Sequence, residues 1–76
     1  MNIDRIIEKY TELFMKATFS KDKNSVKELV EWFNNIVSNQ NIIDGVLIEA
    51  NTMRSFRYDI NQQLEETHYS YSLLEV

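Results

Sequence analysis

The only histidine of the chain, His68, follows Glu65 by three residues. On a helix this spacing places the two side chains one turn apart on the same face, where they can bind one metal ion. Helical bundles that hold paired metal ions use this Glu-x-x-His spacing, but they need two copies of it and two further glutamates. The chain has one histidine and no cysteine. We therefore expect no metal site here.

A second acidic pair, Glu28 and Glu31, has the spacing E-x-x-E. It resembles half of the metal-binding pattern of the all-helical nucleotide pyrophosphohydrolases, a family that needs a second acidic pair on a following helix. The corresponding stretch here, "FRYD", supplies Asp59 without a glutamate. No glycine-rich loop accompanies it to hold phosphates, and no nucleophile has an identifiable activating base. The prediction is that the protein is not an enzyme and has no catalytic residue and no cofactor.

The segment "MRSFRYD" sets Arg54 and Arg57 beside Phe56 and Tyr58. Such a combination can stack on bases, and its position after a turn suits a recognition helix. However, the net charge is −4. The excess of acid lies in residues 41–76, where these two arginines face Asp44, Glu49, Asp59, Glu65, Glu66 and Glu75. Nucleic-acid phosphates attract proteins with an excess of lysine and arginine, and this chain has an excess of acidic residues. We therefore expect no nucleic-acid binding. A dimeric, helical DNA-binding transcriptional regulator is the alternative function.

The composition predicts a single all-α domain spanning residues 1–76. With no proline and one glycine in 76 residues, few positions interrupt a helix. A hydrophobic content of 43% favours a folded domain over a disordered one. No apolar run approaches the ~20 residues that a membrane span needs, and acidic residues occur among the first ten, unlike in a signal peptide. We expect a cytoplasmic protein with no membrane contact.

Two amphipathic helices are predicted in the first half. Apolar residues recur at steps of three and four, first as Ile3, Ile6, Ile7, Tyr10, Leu13, Phe14 and Ala17, then as Val26, Leu29, Val30, Phe33, Ile36 and Val37. The helices should span about residues 3–18 and 25–38. Ser25 and Glu28 form a predicted capping box at the start of the second helix. Trp32 lies beside the apolar stripe.

A third, longer helix is predicted over about residues 42–72. Its apolar seam has heptad spacing through Ile43, Val46, Ala50, Met53, Arg57, Ile60, Leu64, Thr67, Tyr71 and Leu74. The alternative for "IIDGVLI" is a β-hairpin, because Asp-Gly favours a tight turn. The predicted fold is thus a helical hairpin plus a long C-terminal helix, similar to a three-helix bundle and associating through the long helix.

The apolar end "YSYSLLEV" has two interpretations. A long third helix would outrun the other two, so its seam beyond Ile60 would lie bare and form an interface. The alternative is that the helix stops near Thr67 and the last residues fold back onto the core. The first interpretation is the one we adopt. It predicts a protein interface made of Arg57, Ile60, Leu64, His68, Tyr71, Leu74 and Trp32.

These observations together predict a small, acidic helical module that binds a larger protein and regulates or inhibits it. A homodimer through the third helix is expected, since polar Arg57 in a seam is typical of residues that set oligomeric state. A chain rich in asparagine and isoleucine, without proline or cysteine, suggests an AT-rich bacterial, phage or mobile-element genome.

Overall fold

The computed structural model describes residues 3–39 and 47–76, with side chains from residue 50 onward in the second range. It has three α-helices: α1 (Ile3–Ser20), α2 (Lys23–Ser38) and α3 (Leu47–Thr67). They pack against one another as a three-helix bundle, and no strand occurs in the described residues. The predicted all-α class is confirmed.

The helix bounds differ from the prediction at three ends. The first helix continues two residues further, to Ser20, and the second begins two residues earlier, at Lys23. The third ends at Thr67, so the predicted extension to residue 72 is wrong. Its predicted start at residue 42, and most of the alternative hairpin, lie outside the described residues.

The start of α2 is capped by Asp22. The Ser25 backbone N–H donates to Asp22 Oδ1 at 2.7 Å, and the Ser25 hydroxyl donates to Asp22 Oδ2 at 3.3 Å. The predicted capping box of Ser25 and Glu28 is therefore wrong. Glu28 instead accepts a hydrogen bond from Lys16 Nζ of α1 at 3.2 Å. Asp is as good an N-cap as Ser, so the cap at Asp22 lets α2 begin before Ser25.

Replacing this cap gives a pH-dependent prediction. The Ser25 backbone N–H holds the pKa of the Asp22 carboxyl below its ordinary value of 3.8. Its stabilising contribution is therefore present above that pH and is lost as the pH falls through the lower folded-state pKa. We expect Asp22→Ala to melt at a lower temperature than the wild type at neutral pH, and the difference to shrink below pH 3.8. Thermal melts across an acid pH series would show this, and a difference independent of pH would contradict it.

The core is formed by one face of each helix. Its members are at most 8% exposed and are Ile6, Tyr10, Leu13, Ala17, Val26, Leu29, Val30, Phe33, Ile36, Val37, Met53, Phe56, Ile60 and Leu64. The stripes predicted for α1 and α2 supply ten of these, while Ile7 is exposed. Of the adjacent α3 residues Phe56 and Arg57, Phe56 is buried and Arg57 is half-buried, because the Phe56 ring stacks on Tyr10 with centroids 3.7 Å apart.

Neither α1 nor α3 ends on a glycine. Lys21 follows α1 with φ 54°, and His68 follows α3 with φ 60°. This left-handed conformation closes many helices, and glycine usually provides it because a Cβ atom is disfavoured there. The backbone N–H of Lys21 donates to the Ala17 carbonyl at 2.8 Å. Both turns redirect the chain, the first into α2 and the second into the C-terminal segment.

Candidate functional site

The last eight residues, 69–76, return along the bundle; we call them the tail. Four of its side chains are half-buried against the core: Tyr69, Tyr71, Leu73 and Val76. The Tyr69 hydroxyl donates to the Lys21 carbonyl at 3.1 Å, which ties the start of the tail to the turn between α1 and α2. The prediction of a bare seam is therefore wrong, and the fold-back alternative describes the chain.

Two side chains hold the backbone of the tail. Asn34 of α2 donates from Nδ2 to the Ser72 carbonyl at 3.0 Å, and its Oδ1 accepts from the Leu74 backbone N–H at 2.9 Å. Arg57 of α3 donates from Nε to the Leu74 carbonyl at 3.0 Å and from Nη2 to the Leu73 carbonyl at 3.3 Å. The tail thus lies across α2 and α3.

The predicted interface residues fall into three groups. Ile60 and Leu64 are buried in the core of one chain. Arg57, Tyr71 and Trp32 are half-buried, and the Trp32 ring lies 6.3 Å from the ring of Tyr10 between centroids. His68 and Leu74 are exposed. The structure brings most of the predicted residues together, but it does so within one chain.

Two tyrosines of the tail give a paired prediction. The Tyr71 hydroxyl is buried and has no hydrogen-bond partner among the described residues, whereas that of Tyr69 bonds to Lys21. A buried hydroxyl without a partner destabilises the folded state, because it loses its hydrogen bonds to water and gains none. Tyr71→Phe is therefore expected to raise the free energy of unfolding by about 1 kcal/mol. Tyr69→Phe should lower it by roughly 0.5–1 kcal/mol, since a made hydrogen bond is lost. Urea denaturation of both variants would test this. Changes of the same sign would contradict it.

The carboxylates considered for chemistry are engaged separately. Glu28 pairs with Lys16, and Glu31 lies 3.8 Å from Lys27 Nζ. Asp59 Oδ2 accepts from the Tyr10 hydroxyl at 3.0 Å. Burial, together with this carboxylate, raises the pKa of Tyr10. No group of three or more potential metal-ligating side chains gathers in the described part of the chain.

A surface cavity lies where α3 meets the end of the tail. It has a volume of about 370 Å³ and is lined by Arg54, Arg57, Tyr58, Asn61, Glu75 and Val76. The sequence indicated both arginines and Tyr58 as a possible binding group, but it also included Phe56, which the core buries. Nothing in the sequence placed Glu75 here, because that depends on the fold-back.

Large apolar side chains remain exposed on the outer surface. Phe19 is 78% exposed, Tyr58 66%, and Met15 49%. Met15 and Phe19 are four residues apart on α1, so they are neighbours on one helix face. Large exposed apolar residues are typical of binding surfaces when they cluster.

None of the described helices combines the length and apolar character that crossing a lipid bilayer requires. No protein-family model matches the chain, and neither a curated protein nor a solved structure is significantly similar to it.

Proposed function

We propose that this protein is an interaction module that binds a larger protein and regulates or inhibits it, without chemistry of its own. The observation that carries the proposal is the outer face of α1, where Phe19 and Met15 are exposed on a regular helix. Aromatic and methionine side chains are enriched in protein interfaces, and a few of them supply most of the binding energy.

The hydrogen bonds and ion pairs of the carboxylates support the part of the proposal that gives the protein no chemistry of its own. Glu28, Glu31 and Asp59 have separate partners within the bundle, so they do not converge on one reacting group. General acid–base chemistry needs a titrating group within hydrogen-bond reach of the atom it serves. A binding role requires no such convergence, and it uses the apolar side chains that the core leaves outside.

Affinity capture from lysate of the native host tests the proposal. The bait is the wild-type protein, with Phe19→Ser as the matched variant, because Phe19 is exposed and its loss leaves the core intact. Proteins retained by the wild type after nuclease treatment, and lost with Phe19→Ser, support the proposal. Retention that disappears with nuclease would instead favour the alternative, a DNA-binding regulator acting through Arg54 and Arg57.

We also propose that the protein forms a homodimer. The position of the tail limits which surface is available for that contact. Ile60 and Leu64 are buried in the core against which the tail packs, so a homodimer through these two residues requires that core to open. Light scattering across the micromolar range tests the homodimer. A mass that stays at the 9.1 kDa of one chain would exclude it in that range.

A further inference from the structure

We propose that the cavity between α3 and the tail is a binding site for a carboxylate, supplied by an acidic side chain of the protein partner. This inference rests on the proposed function, because it names the chemistry that the partner would present. The side chains that carry it are Arg54, Arg57, Tyr58 and Asn61, all on α3, and the tail closes the cavity with Glu75 and Val76.

The geometry of Arg57 leaves one side of its guanidinium available. A guanidinium is planar and can form paired hydrogen bonds along more than one edge. The tail carbonyls occupy the edge formed by Nε and Nη2. Nη1 donates no hydrogen bond to the side chains or backbone that the structure describes. The tail therefore holds Arg57 in one orientation and leaves its Nη1 end free for a carboxylate, which binds such an edge through two oxygens.

Arg54 provides a second guanidinium one helical turn before Arg57. Its Nη1 donates to Asn51 Oδ1, which orients the side chain along α3. Within the part of the chain whose side chains are described, neither arginine forms an ion pair with a carboxylate. The two arginines line one cavity, and none of the acidic side chains that the structure describes pairs with either of them.

The surroundings favour a carboxylate on a protein. Glu75 lines the same cavity without pairing with either arginine, and its negative charge opposes a doubly charged phosphate more than a singly charged carboxylate. Tyr58 at 66% and Leu74 at 44% exposure offer apolar contact beside the cavity. A small free carboxylic acid such as glutarate offers little apolar surface to these side chains, whereas a polypeptide offers more. The amide of Asn61 can donate a further hydrogen bond.

The test is an NMR titration that follows the side-chain N–H signals of Arg54 and Arg57. The probe is a short capped polyglutamate peptide, compared with a capped polyglutamine peptide, glutarate and inorganic phosphate. Saturable shifts with polyglutamate are expected, with weaker binding of glutarate and phosphate and none of polyglutamine. If glutarate binds as tightly as the peptide, the site takes free carboxylic acids, and if phosphate binds more tightly it is a phosphate site; either result overturns the proposal.

Matched variants distinguish peptide binding in this cavity from a general attraction by the net charge of the protein. Arg54→Gln is expected to weaken peptide binding by about tenfold or more, because hydrogen bonds to a charged group are lost. Arg5→Gln is the same change at an exposed position of α1 and should leave the affinity unaltered. Glu75→Gln should strengthen binding by about twofold to fivefold. Equal weakening by Arg54→Gln and Arg5→Gln would show that only net charge matters and would overturn the proposal.

The lysate capture described above distinguishes the two proposals. If the wild type captures a protein and Arg54→Gln captures it equally well, the carboxylate site is wrong and the interaction module stands. If polyglutamate binds as expected but the wild type captures no protein, the carboxylate site stands as a binding site and the proposed function fails. Circular dichroism of each variant confirms that the helices are retained, as expected for exposed Arg54.

Discussion

Deletion of residues 69–76 is expected to lower the melting temperature of the protein by roughly 15–30 °C. The tail half-buries four apolar side chains, and fully burying one such side chain stabilises a protein by about 1.5–3 kcal/mol. About half of that for each of the four gives a total of roughly 3–6 kcal/mol, a large part of the usual stability of a small domain. The hydrogen bonds from Asn34 and Arg57 are lost as well.

The matched control keeps the tail and changes only its exposed polar side chains. Ser70 and Ser72 are exposed, and Ser72 contributes its carbonyl, not its hydroxyl, to the contact with Asn34. Ser70→Ala with Ser72→Ala is therefore expected to melt like the wild type. The truncated chain should also self-associate, since it uncovers the edge of the core at Leu64. Unchanged melting after truncation would mean that the tail does not hold the fold together.

Phe33→Ala is the second change with a large expected effect. Phe33 is 0% exposed and is the largest fully buried side chain of the core. Removing a buried phenylalanine loses its transfer free energy and leaves a cavity, which costs about 3–5 kcal/mol. A domain of this size is expected at the low end of the usual total stability of about 5–15 kcal/mol, so the variant should be largely unfolded near 37 °C.

Phe19→Ala is the control for this substitution, because it removes the same atoms from a side chain that is 78% exposed. Its free energy of unfolding is expected to stay within about 0.5 kcal/mol of the wild type. Chemical denaturation of the two variants side by side measures the contrast. Similar losses in both would show that Phe19 belongs to the core, and would remove the main support for a binding face on α1.

The amino-acid sequence by itself determined the helical class and the inward faces of α1 and α2. A helix turns 100° per residue, so apolar residues at steps of three and four must share a face whatever that face contacts. Val26, Leu29 and Phe33 are all 0% exposed, as that spacing predicts. The arginines of the candidate carboxylate site were also evident, because Arg54 and Arg57 are the only bases in an acidic half.

The tertiary structure decided the rotation of α3 and the course of the tail. Heptad spacing placed Arg57 in the apolar seam of α3. Stacking on Tyr10 turns Phe56 towards the core instead, and Arg57 then points about 100° away because adjacent residues of a helix differ by that angle. Likewise the apolar spacing continues past Thr67, yet the helix ends there. Side chains distant in sequence, Asn34 and Arg57, bind the tail backbone, and burying Tyr69, Tyr71 and Leu73 on the core offsets the helical hydrogen bonds that are given up. Such contacts join residues up to 48 positions apart, which no local pattern records.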